Sequence, residues 1–178
     1  MSGELADDVS WTRLLQRAIQ NTELTTLDAA IRSLPDVDVQ FLLQLIEDKR
    51  NNFEIQLRND PDCADYAVAN ALAIWVYTLQ VVPVYSVING YAHASDRNNG
   101  PGGVSAGFTA CLPYIKYLDR ALTLLPEKFH YAGPCQRGVQ YVFPSSEDHD
   151  PAKHFPTGKH LFFYEFKSAS TERSVMSN

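Results

Sequence analysis

The constraint that most limits the fold of this chain is a change of hydrophobic period at Gly133-Pro134. Before it, apolar residues recur every three or four positions, the spacing of an amphipathic helix. The clearest case is Phe108, Cys111, Leu112, Ile115, Leu118, Leu122 and Leu125, a stripe that stops at Pro126. After the turn, Arg137, Val139, Tyr141 and Phe143 alternate with their neighbours. So do Phe162, Tyr164, Phe166 and Ser168, over Lys159 to Ser168. Alternation is the mark of a strand with one buried face. The expectation is an α+β fold, with helices filling residues 8–125 and strands only after Gly133. The helical part would then pack on a small mixed or antiparallel sheet.

Prolines divide the helical part. A first helix is expected over 8–20, with Ser10 as cap and Val9, Leu14, Leu15, Ala18 and Ile19 on one face. A second fits 24–34, ended by Pro35. A third fits 37–58, with Val37, Phe41, Leu45, Phe53 and Leu57 as its apolar face. Asn59-Asp60-Pro61 breaks it, and Pro61 suits the first turn of the next helix. Residues 62–80 are apolar nearly all round, which implies burial on several sides. Pro83 separates them from a short helix over 84–94, and the Asn-, Gly-, Asp- and Ser-rich run 95–107 reads as a loop. Glu47, Asp48 and Glu54 alternate with Lys49, Arg50 and Arg58, the pattern of a solvated, ion-paired face.

With 178 residues, 45% of them hydrophobic, the chain is long enough for one domain with its own core. Its formal net charge is -6 and it has no block of lysine or arginine, which argues against nucleic-acid and acidic-membrane partners. No apolar run has the length of a membrane span. The acidic start Met-Ser-Gly-Glu-Leu-Ala-Asp-Asp is unlike a signal peptide. Cys63, Cys111 and Cys135 form neither a disulfide framework nor a metal spacing. A cytoplasmic, reducing location is expected, with secretion left open. His93 and His130 stand alone, without a second ligand at useful spacing. Asp148, His149, Asp150 and His154 could hold a metal, but a surface loop commonly has this composition, and no metal is expected.

Two positions after the turn carry the chemistry. Arg137 is in phase with three apolar residues, and a guanidinium stays charged wherever it is placed. It must reach solvent at a strand end or meet an anion. Gly138 leaves the backbone open beside it, which suits a pyrophosphate, although on this stretch alone the commoner partner for such an arginine is a surface carboxylate. Ser168 ends the aromatic face of 159–168 with a hydroxyl, followed by Ala169 and Ser170. If buried, that hydroxyl needs a partner, either a side chain or a ligand; otherwise it starts a turn.

Read in order, these pieces resemble the arginine-specific mono-ADP-ribosyltransferases. Trp75-Val-Tyr-Thr followed by Val84-Tyr-Ser-Val-Ile-Asn89 is similar to that family's Tyr-Thr and Tyr-x-x-Ile-Asn signature. Leu112 to Pro126, leading to Arg137-Gly138, is the second piece. Tyr164-Glu-Phe-Lys-Ser168-Ala-Ser170 matches a Phe-x-Ser-x-Ser pattern, and the likeness runs from about residue 60 onward. The resemblance implies transfer of ADP-ribose from NAD to arginine side chains of an acceptor protein. It implies that Arg137 holds the phosphates, that Gly138 offers backbone to the nicotinamide amide, and that Ser168 fixes the pocket with Phe166 and Ser170 in support. Arg137 and Ser168 are then expected on neighbouring strands facing one cleft. Residues 59–178 would be the NAD-binding part and 1–58 a helical extension. The choice between NAD and NADP stays open.

Two positions depart from the pattern. Gln136 stands before the arginine, where the family usually has an aromatic, and no Glu-x-Glu occurs anywhere in the sequence. Glu165 precedes the serine and Glu172 comes too soon after it. The expectation is the front part of a transferase domain or an inactive copy, with no catalytic carboxylate in the chain. Its alternatives are a catalytically dead NAD-binding module and a helical protein-interaction domain.

Overall fold

The computed structural model describes residues 14, 16–63, 65–98, 104–135 and 171, with side chains of the helix at 84–98 described as far as residue 92. Its chain divides into two compact units, Met1–Tyr131 and Ala132–Asn178. The boundary falls two residues before Gly133-Pro134. In the second unit the described residues are 132–135 and 171, and Cys135 is exposed.

The first unit is built from helices: α1 over 16–21, α2 Leu27–Arg32, α3 Val39–Arg58, α4 Val68–Thr78, α5 Val84–Asn98 and α6 Ala106–Thr123. Short 3-10 turns at Pro61–Cys63 and Glu127–Phe129 come after α3 and α6. The helix starts are chemically marked. The Thr26 hydroxyl accepts from the Ala29 amide, the Asp38 carboxylate from Phe41, and the Ser105 hydroxyl from Phe108, each at 3.0–3.2 Å. Each bond satisfies an amide that the first turn leaves without a helical partner.

Helix α6 is the centre of the unit, packing on α2, α4 and α5, while α3 packs on α2 and α4. Five residues of its expected stripe, Phe108, Cys111, Leu112, Ile115 and Leu118, are buried. Tyr114 and Ala121 are buried as well, so α6 presents apolar surface on more than one side. That is the result of having helices on several sides. Among the described residues Tyr114 is the largest fully buried side chain, and its phenol donates to the Ala73 carbonyl of α4 at 2.7 Å. Tyr66 does the same to Ala121 of α6, also at 2.7 Å. Both phenols bury ring area and still satisfy their polar ends. Pro113 lies within α6 without ending it.

This architecture corrects the expected fold class. Among the described residues there is no strand and no sheet, and the α+β arrangement of helices packed on a sheet does not hold. The physical reason is visible in the core. Leu42 and Ile46 of α3, Leu72, Ala73 and Val76 of α4, Val84 and Ile88 of α5 and the buried face of α6 fill one another's grooves. Helix faces close the core on themselves. The segments expected as strands, 136–143 and 159–168, lie outside the described residues.

Three smaller expectations also change. The face of α3 is rotated from the one expected: Leu42 and Ile46 are buried, whereas Phe41 is 41% exposed. Helix α4 starts at Val68 rather than near 62, because the Pro61–Cys63 turn and a Tyr66 amide bond to the Cys63 carbonyl use the preceding residues. Helix α5 runs on to Asn98, through residues whose composition suggested a loop.

Candidate functional site

Arg137, Gly138, Phe166, Ser168 and Ser170, the residues expected to bind NAD, lie outside the described residues. So do Gln136, Glu165, Glu172 and the Asp148, His149, Asp150 and His154 cluster. The expected juxtaposition of Arg137 and Ser168 lies outside them too. Among the described residues, no group of three or more His, Cys, Asp and Glu could hold a metal ion. His130 is exposed, and His93 sits in α5.

The helical part of the family-like pattern does lie in described structure. Tyr77-Thr78 forms the last turn of α4, and Tyr85, Ile88 and Asn89 lie in the first half of α5. Pro83 between them gives a short connection, and the two helices pack together. The rings of Tyr77 and Tyr85 meet edge to face, with centroids 6.3 Å apart and planes at 67°. That geometry sets the positive edge of one ring on the negative face of the other. Thr78 donates to the Trp75 carbonyl at 2.8 Å at the helix end, and Ile88 is buried. Asn89 Oδ1 is buried with no hydrogen-bond partner. These residues lie where α4 joins α5.

Electrostatics in the helical unit are largely those of paired surfaces. Arg50 reaches Glu47 at 3.2 Å and Asp28 at 3.6 Å, consistent with the solvated face expected for α3. Lys49 lies 5.7 Å from the Phe53 ring and 6.0 Å from the Trp75 ring, where those rings meet edge to face. Lys128 pairs with Asp60 and lies 3.6 Å from Asp62, tying the turn after α6 to the turn after α3. The Lys128 ammonium holds the Asp60 carboxyl below its ordinary range, and Asp60 raises Lys128 in return. No local sequence signal announces such a pair, because its members are 68 positions apart. Burial raises the Cys63 thiol and, with a smaller contribution from Asp36, pushes Cys111 up to about 12. Both are inert core thiols rather than nucleophiles.

An open cleft of about 680 Å³ lies between the α1–α2 linker and helices α3, α4 and α6. Thr25, Asp28, Arg50 and Tyr117 supply its polar lining, with Leu24, Leu27 and Ala69 as apolar walls. Its one guanidinium is the ion-paired Arg50. No stretch of sequence announces this cleft, since its residues come from four separate segments.

No family model, no curated protein and no solved structure matches this chain.

Proposed function

We propose that this chain binds NAD through Arg137, Gly138 and Ser168, as a member of the arginine-specific mono-ADP-ribosyltransferase class. The observation that carries the reading is the order of its pieces. Tyr77-Thr78, Tyr85-x-x-Ile88-Asn89, Arg137-Gly138 and Phe166-x-Ser168-x-Ser170 occur in sequence over roughly a hundred residues. The packing of α4 on α5 supports it, because it gives the first two pieces a common structural role.

The chemistry assigned to these residues is limited. A guanidinium fork binds a pyrophosphate by parallel charge-assisted hydrogen bonds, and a glycine lets the ligand approach the backbone. In the transfer, the bond between nicotinamide and ribose C1′ breaks and nicotinamide leaves with the electron pair. An arginine nitrogen of the acceptor protein then bonds to C1′ and loses a proton. The intervening centre resembles an oxocarbenium ion, which carboxylates stabilise in related sugar chemistry. No Glu-x-Glu is present among these 178 residues. Loss of one preorganised stabilising group costs about 2.7–4 kcal/mol, a hundred- to a thousandfold in rate. Residues 1–178 by themselves therefore bind NAD and transfer ADP-ribose poorly. The same absence favours a second reading, an NAD-binding module without turnover.

The experiment is a transfer assay with labelled NAD on a protein rich in exposed arginine, run beside NAD titration. Binding with little transfer is the expected result. Efficient transfer by residues 1–178 would overturn the reading of the missing carboxylates, and no binding of NAD would overturn the site.

A further inference from the structure

We draw no further inference here: the strongest candidate, the open cleft between the α1–α2 linker and helices α3, α4 and α6, has its one guanidinium, Arg50, already held by Asp28 and Glu47, and no lining residue is a buried polar group left without a partner to say what would occupy it.

Discussion

Substituting Gly107 by alanine tests how α6 is seated against its neighbours. Gly107 is the second residue of α6, directly beneath the ring of Tyr91 from α5. A Cβ there would lie 2.0 Å from Tyr91 Cε1, 2.3 Å from Cδ1 and 2.6 Å from Cζ. Carbon atoms rest about 3.5–4.0 Å apart, so the ring or the first turn of α6 must move by about 1.5–2 Å. The ring is not free to swing. Its phenol donates to the Asp36 carboxylate in the α2–α3 connection, where Asp36 has the left-handed φ of 54°. Overpacking of this kind costs about 1–3 kcal/mol, and releasing the exposed hydrogen bond to Asp36 adds only a little to that. Alanine's helix propensity returns up to about 1 kcal/mol. The net expectation is a loss of about 1–3 kcal/mol, read as a lower urea midpoint at unchanged slope. A double-mutant cycle makes the cause explicit. In a Tyr91→Ala background the obstruction is gone, and Gly107→Ala should be neutral or mildly stabilising, a coupling above about 1 kcal/mol. Equal effects in the two backgrounds, or stabilisation by Gly107→Ala alone, would show that the Tyr91 ring is not the obstruction.

Other consequences are open to simpler tests. Leu42→Ala should destabilise by about 2–5 kcal/mol and Phe41→Ala by less than about 1 kcal/mol, reversing what residue size suggests; equal losses in urea unfolding would contradict the observed face of α3. Burial raises Tyr66 to about 12, from an ordinary value of 10.0, and Tyr114 well above it. Cys111 rises to about 12 from 9.0. Each is an acid whose neutral form the fold favours. Their contribution to stability is therefore complete below pH 9.0 and is lost as pH climbs toward 12. A midpoint that stays flat over that range would contradict their burial. In thiol titration, exposed Cys135 should react at once, and Cys63 and Cys111 only on unfolding; three fast equivalents would count against the core.

Much of the helical unit was legible because its signals are local. Pro35, Asn59-Asp60-Pro61 and Pro83 mark helix ends, and the stripe of α6 keeps its period from Phe108 to Leu118. The expected face of α3 differs from the buried one because Val37, Phe41, Leu45, Phe53 and Leu57 repeat every four residues, and a strict step of four drifts around a helix of about 3.6 residues per turn. Phe53 joins Trp75, but Phe41 points away from the core that Leu42 and Ile46 fill. Tyr114 was missed because a phenol reads as half polar, and only its acceptor on α4, 41 positions away, makes full burial acceptable. The sheet was inferred from alternation beyond Gly133, and alternation says nothing about whether the preceding helices need a sheet. Leu72, Ile88, Phe108 and Leu118 close the core without one. The candidate site rested on residue chemistry and motif order alone. Its helical signature, Tyr77 and Tyr85, turns out to be a ring contact between α4 and α5.

In the proposed site, Arg137 recognises the pyrophosphate of NAD. Calorimetric titration of residues 1–178 with NAD, beside Arg137→Ala and Arg137→Lys, tests it most directly. Losing a bidentate charge-assisted contact should weaken binding by about 1.5–3 kcal/mol, roughly tenfold to a hundredfold. Lysine should restore only part of this, since an ammonium lacks the fork. Circular dichroism of the variants should match the parent, because Arg137 lies beyond the helical unit Met1–Tyr131. Binding of NAD unchanged in Arg137→Ala would leave Arg137 with no part in holding the pyrophosphate.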